Sequence, residues 1–222
     1  MSLVVLKCGG AVACESADTI LQLADAGHDV CVVHGAGPQI SEEMERFGIP
    51  VEFVGGRRVT TKAGLAVVRS SFAAVNRALC SALGMRAVGL FGDEIGLHAV
   101  QIPALGHVGD PLPSRPHAVV EALVSGYIPV VAPLGVGPLN VNADDAAAAL
   151  AVGLEADRLL FLTDVAGVLH DGSVLASIGA GEADRLLGDG TFDGGIVPKL
   201  RAAVIAVRNG VRTEIGETAV IA

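Results

Sequence analysis

Short apolar runs rich in Val, Ile and Leu alternate along the chain with longer stretches whose apolar residues recur every three or four positions. The runs at 3–7, 30–34, 87–91, 128–133 and 158–163 have the length and β-branched content of buried strands. The stretches at 16–26, 39–47, 62–83, 117–125, 144–154 and 198–209 have helical spacing, and Gly210 closes the last of them. Strands alternating with helices predict a mainly parallel α/β sheet with right-handed crossovers. Residues 111–116 hold three prolines and read as a loop, in the form of a hairpin or a lid-like excursion. Glycine and proline gather at 135–139, which marks the expected boundary between two lobes, 1–137 and 138–222.

Composition narrows the core. Apolar residues make up 51% of the 222, yet there is one Tyr, no Trp and only six Phe, so the core is aliphatic. The 29 glycines suit helices packed closely on a sheet. A formal charge of −9 argues against non-specific nucleic-acid binding, although net charge leaves a local cationic pocket open. Cys8, Cys14, Cys31 and Cys80 form no Cys-x-x-Cys pair and no ligand spacing with the six histidines. They read as small buried hydrophobes in a reducing compartment, and no protein metal site is expected. Residues 122–143 carry no charge, but three prolines and three glycines break any spanning helix there. The start of the chain has no basic n-region. A cytoplasmic protein with no membrane partner is expected.

The candidate chemistry lies at strand ends. The first strand ends in Lys7-Cys8-Gly9-Gly10, and the second ends in His34-Gly35-Ala36-Gly37 leading into a helix. Ligands of open α/β sheets bind beyond the carboxyl ends of the strands, where glycines let backbone N–H groups approach an anion. One such turn is explained by chain reversal alone; two, with a lysine beside one, point to an anion site. Arg57 and Arg58 follow the Gly55-Gly56 pair, and adjacent arginines are usually solvated. Asn140 and Asn142 alternate on an extended segment, which puts them on one face, and Asp144 is placed to cap an alanine-rich helix. Lys199 stands at the start of a helix, where the dipole disfavours a cation unless an anion lies between them.

Taken in order, VVLKCGG, VVHGAGPQI, GGRRVTT, GLFGD, LGHVG, GYIPVV, LNVNADDAA, LLFLTDVAGVL and GGIVPKL resemble the amino-acid kinase family from Leu3 to about Gly210. The segments around Arg58, Gly106-His107 and Asn140 resemble the branch of that family that acts on N-acetyl-L-glutamate. The resemblance implies a three-layer αβα sandwich, with the amino-acid site and the dimer contact in the N-lobe and ATP in a shortened C-lobe. It implies ATP-dependent phosphorylation of the side-chain carboxylate of N-acetyl-L-glutamate to an acyl phosphate, the second step of arginine synthesis by the acetylated route. By the same resemblance, Lys7 and Lys199 reach the phosphates, and Asp144 orients both. Arg58 and Asn140 hold the substrate carboxylate, and Gly35 and Ala36 also contact the substrate. Gly9 and Gly10 approach the phosphates, Thr163 and Asp164 face the nucleotide, and Mg²⁺ enters on the phosphates and water. No general base is implied, because a glutamate side chain with a pKa of about 4.3 is already ionised at neutral pH.

The chain departs from the family in several places. Ala36 replaces the middle glycine of His-Gly-Gly-Gly, and Arg57 stands where an apolar residue is more common. Residues 214–222 resemble only the family's final strand, without the helix that usually precedes it. The first strand comes almost at Met1, so the resemblance implies a homodimer insensitive to arginine. Two other readings stay open: a kinase of a carrier-linked amino acid, and a non-catalytic binding module with this fold.

Overall fold

A computed structural model of the chain describes residues 2–10, 13, 15–162 and 166–222. Its centre is an eight-stranded sheet in the order Ser177–Gly179, Thr218–Ile221, Arg212–Ile215, Arg158–Leu162, Leu3–Cys8, Asp29–His34, Ile128–Ala132, Ala87–Phe91. Six of these strands run parallel; Thr218–Ile221 turns back against Arg212–Ile215, and Ser177–Gly179 pairs parallel to it. The helices are α1 (Ala17–Asp25), α2 (Gly37–Arg46), α3 (Lys62–Leu83), α4 (Gly92–Ile95), α5 (His117–Val124), α6 (Ala143–Gly153), α7 (Ala180–Gly188) and α8 (Ile196–Arg208).

The period of two in the strands divides the core. Val4, Leu6, Val30, Val32, Ile128 and Val130 pack with residues of α1, α2 and α3. Val5, Cys31, Val33, Val131, Leu159 and Phe161 face the other way and pack with α5, α6, α7 and α8. Both sheet faces are therefore covered, which is why these strands read as unbroken apolar runs rather than alternating ones. In α6 the buried stripe runs from Ala146 to Ala151 and is alanine apart from Leu150. Side chains this small let α6 approach both the first strand and α8, whose Ala202, Ala203 and Ala206 are equally buried.

A second sheet of four short strands, in the order Ala99–Gln101, Val108–Pro111, Leu139–Val141, Leu134–Gly135, flanks the carboxyl ends of the main strands. A separate hairpin pairs Phe53–Val54 with Arg57–Arg58. Its two central residues, Gly55 and Gly56, have φ of +58° and +80°, the left-handed pair that a two-residue turn of this kind needs.

Two expectations change here. Residues 214–222 are not one strand: Arg212–Ile215 and Thr218–Ile221 form a hairpin, because Gly216 at φ +54° reverses the chain. Nor is Asp144 the cap of α6. Asn142 holds that position, its Oδ1 accepting from the N–H groups of Asp144 at 2.8 Å and Asp145 at 3.2 Å. The Asp144 carboxylate is thereby left for other partners.

Candidate active site

The carboxyl ends of the Leu3–Cys8 and Asp29–His34 strands are adjacent, with Cys8 opposite His34 in register. There they open into a cavity of about 410 Å³. Nine residues singled out in the sequence line it: Lys7, Gly9, Gly10, Gly35, Ala36, Arg58, Asn140, Asp144 and Lys199. Thr163 and Asp164 lie outside the described residues.

Alternation along the first strand points Lys7 to the same face as Val5, toward α6. Its Nζ stands 2.8 Å from Asp144 Oδ1, and Lys199 Nζ from the first turn of α8 stands 3.7 Å from Asp144 Oδ2. Lys7 is only 5% exposed. A lone ammonium group at that depth costs several kcal/mol of desolvation, so the pair with Asp144 is what makes the position tenable. Burial pushes the Lys199 pKa down; Asp144 opposes that shift and Lys7 adds to it. Two ammonium groups share one carboxylate, so positive charge is left over at the cavity wall.

Backbone donors add to it. Helices α2 and α8 both start at this cavity, and neither N-cap residue (Ala36 and Gly195) makes a side-chain cap. Their first N–H groups and dipoles favour an anion. The carbonyl of Gly195 also accepts from Lys199 at 3.3 Å, which holds the lysine over its own helix start.

The loops after the first two strands are pressed together. A Cβ on Gly10 would stand 2.7 Å from Ala36 Cα and 2.9 Å from the Gly35 carbonyl, so only glycine fits. Gln39, which the sequence did not single out, donates to the Gly10 carbonyl at 2.9 Å. Ala36 has φ −149°, so the position does not need the left-handed conformation that favours glycine. The Gly35 N–H is already committed to the Cys8 carbonyl at 2.8 Å, so close approach is what Gly35 offers a ligand. Behind it His34 is fully buried, its Nδ1–H donating to the Gly35 carbonyl and its Nε2 accepting from Asn76. Burial lowers its pKa to about 4, which keeps the ring neutral.

The opposite wall is built by the hairpin and the second sheet. Arg58 donates to the Gly37 carbonyl at 3.0 Å and to Ser41 Oγ at 2.8 Å, and its guanidinium lies 4.5 Å from the Phe53 ring centroid. Burial lowers its pKa. Asn140 Nδ2 donates to Thr60 Oγ1 at 3.0 Å, and Thr60 in turn donates to the Arg58 carbonyl at 2.8 Å. The Gly106-His107 segment closes this link: His107 N–H donates to the Thr60 carbonyl, and the His107 carbonyl accepts from Asn140 N–H. Asn142 was legible by its alternation with Asn140, whereas Phe53 stands two residues before GGRRVTT and was not singled out. Asp145 was legible only as part of LNVNADDAA and was not singled out, since an aspartate in a helix's first turn is commonplace.

A cavity at the carboxyl edge of a parallel sheet, with two lysines on one aspartate facing a guanidinium, defines a protein that brings anions together, as phosphoryl-transfer enzymes do. The chain belongs to the amino acid kinase family, whose profile matches residues 2–216. It is 42% identical to the acetylglutamate kinase of Rubrobacter xylanophilus over 224 residues, covering 97% of this chain and 88% of that one. It is 39% identical to the acetylglutamate kinase of Geobacillus kaustophilus, covering 92% of this chain and 85% of that one. Among solved structures, the protein smu.665 from Streptococcus mutans superposes with a TM-score of 0.90 at 31% identity, covering 99% and 98% of the two chains. Carbamate kinase from Giardia lamblia bound to AMP-PNP shares the fold at a TM-score of 0.72 and 19% identity, with 99% and 98% covered. Among the described residues, no helix is long and apolar enough to cross a membrane.

Proposed function

We propose that this protein transfers the terminal phosphoryl group of ATP to the side-chain carboxylate of N-acetyl-L-glutamate, forming an acyl phosphate and ADP in the acetylated route to arginine. The carrying observation is the pair of lysines held by Asp144 in the same cavity as Arg58. The curated acetylglutamate kinases at 39–42% identity support the choice of acceptor.

The reaction asks little covalent chemistry of the protein. The acceptor carboxylate is ionised at neutral pH, so its oxygen attacks the γ-phosphorus with no base, and the bond to the β-phosphate oxygen breaks as ADP leaves. The barrier is the approach of two anions and the charge spread over the moving group. In this reading Arg58 and Asn140 hold the acyl amino acid, with Gly35 and Ala36 beneath it. Lys7 and Lys199 stabilise the transferring phosphoryl group, and Asp144 fixes both ammonium groups in position. Gly9 and Gly10 let the phosphates approach the backbone, and Thr163 and Asp164 belong to the nucleotide side.

Asp144 is engaged by two lysines and Asp145 by Arg57, and no three His, Cys, Asp or Glu converge among the described residues. These residues suit a Mg²⁺ ion carried on the phosphates and water rather than in a protein cage. Bound there, the ion supplies further neutralisation of phosphate charge.

The division into 1–137 for the amino acid and the dimer contact and 138–222 for the nucleotide belongs to this reading, as do a homodimer and a cytoplasmic location. A hydroxamate assay tests the activity. Hydroxamate and ADP formed only when acetylglutamate and ATP are both present support it. Nucleotide binding without turnover makes the protein a binding module instead.

A further inference from the structure

Arg57, the residue beside the substrate-facing Arg58, reaches two carboxylates on other elements. Its Nη2 donates to Asp110 Oδ1 at 2.5 Å on the Val108–Pro111 strand, and to Asp145 Oδ2 at 2.9 Å in the first turn of α6. Among the described residues, the hairpin that carries it pairs with no other strand. Polar side-chain contacts tie it to the rest of the protein, and just beyond it Thr60 exchanges backbone hydrogen bonds with Leu105 and His107. Arg58 fastens it to α2, and Arg57 fastens it to the second sheet and α6, with Asn142 Nδ2 adding a long 3.5 Å contact to the Gly56 carbonyl.

The two Arg57 contacts are not equivalent. The Asp110 side chain is 58% exposed, and a pair in that setting contributes little. The Asp145 side chain is 14% exposed and that of Arg57 27%, so removing Arg57 leaves the Asp145 charge largely buried without a counter-charge, whereas removing Asp145 leaves Arg57 only its exposed partner Asp110. Asp145 also follows Asp144 directly. One helical turn thus holds both the lysine pair and the hairpin, which makes hairpin position and lysine position dependent on the same first turn of α6.

We infer that Arg57 and Asp145 form a clasp that holds the 53–58 hairpin against the cavity, with Asp145 a positioning residue acting through Arg57 on the amino-acid site. The clasp rests on the proposed substrate only for its kinetic consequences; the hairpin itself reports on it without any substrate. The charged groups bearing on Asp145 are Arg57 from the hairpin, Asp110 from the second sheet and Asp144 from its own helix. Burial, with the two aspartates, raises its pKa to about 6 against the pull of Arg57. As pH falls through that value Asp145 takes up a proton and the clasp loses its ion pair.

The test is amide hydrogen exchange of the ligand-free protein together with steady-state kinetics, on D145N, R57Q and the double variant. Exchange at residues 53–59 is expected to rise about fivefold in each single variant and no further in the double, because the two side chains serve one interaction. KM for acetylglutamate is expected to rise about tenfold in D145N, with kcat and KM for ATP within about threefold. The wild-type rise in that KM below about pH 6 is expected to vanish in D145N. R57K, which keeps the charge, is expected to recover part of both effects. D110N, at the exposed partner, is expected to change both readouts little, and R57Q carries the test should D145N fold poorly. Unchanged hairpin exchange, or effects that multiply in the double variant, overturn the clasp. Absence of acetylglutamate turnover in the wild type overturns the proposed substrate instead, and the exchange result still decides the clasp.

Discussion

Lys7 Nζ stands 2.8 Å from Asp144 Oδ1, joining the end of the first strand to the first turn of α6. Lys199 approaches the other oxygen of the same carboxylate at 3.7 Å. If these ammonium groups stabilise charge that develops on the transferring phosphoryl group, their loss should act on the chemical step. Lys199→Ala is expected to lower kcat by roughly 10²- to 10³-fold while KM for acetylglutamate changes far less. Asp144→Asn leaves two buried cations without their carboxylate and should lower kcat as well. Steady-state kinetics on purified variants decide this; an unchanged kcat in Lys199→Ala removes the lysine from its assigned role.

Arg58 is expected to show the opposite division. Its fork holds Gly37 and Ser41 of α2 and stacks on Phe53, so it is positioned before any ligand arrives. Arg58→Ala should raise KM for acetylglutamate roughly 10- to 100-fold, the loss expected for a charge-assisted contact to a carboxylate, and affect kcat less. A larger effect on KM for ATP would assign Arg58 to the nucleotide.

Gly10→Ala probes the contact between the two strand-end loops. The added methyl carbon meets Ala36 Cα at 2.7 Å, a backbone atom that cannot rotate away. The loops must separate, so activity is expected to fall at least tenfold, with the change in melting temperature showing how much of the loss is structural. Full activity in this variant would show that the loops part freely.

The buried His34 should leave a signature in acid stability. Its folded pKa near 4 lies below the unfolded value of 6.5, so the unfolded chain binds more protons between those values. The contribution of His34 is therefore fully present above pH 6.5 and is lost as pH falls toward 4, with a slope of at most about 1.4 kcal/mol per pH unit. Asp145 acts in the opposite sense, because its folded pKa near 6 is raised above the ordinary carboxylate value of 3.8 and its contribution grows as pH falls. Denaturant unfolding of wild type and His34→Gln side by side isolates the histidine: the difference in stability between them is expected to shrink from pH 7 to pH 4. A constant difference across that range would mean that His34 does not titrate as its burial requires.

Much of the scaffold was legible because its elements are long or strongly patterned. The helix at 62–83 and the strand at 87–91 fall where spacing put them, the strands at 3–8, 29–34 and 128–132 differ by one residue at one end, and the strand at 158–162 matches as far as the described residues run. The second sheet was not legible. Its strands are two to four residues long, too short to show a period, and they are defined only by their pairing with one another, 108–109 meeting 140–141 across about thirty residues of chain. The C-terminal hairpin was missed because its reversal depends on Gly216, one glycine among many. The cap of α6 was misassigned because Asn142 and Asp144 are equally good capping residues by type, and only the backbone geometry chooses between them.

By itself the sequence determined the alternation of buried strands and helices, the aliphatic core, the glycines at two strand ends and the set of charged residues available to an anion. Those properties follow from local spacing and residue chemistry. The tertiary structure alone decided which charges meet. It set Lys7 and Lys199 on one aspartate, and it sent Arg57 to Asp110 and Asp145 rather than to solvent. Pairing of this kind depends on which strand lies beside which and on how closely an alanine-lined helix can approach them. Burial, a property of the packed whole, then makes those few pairs count.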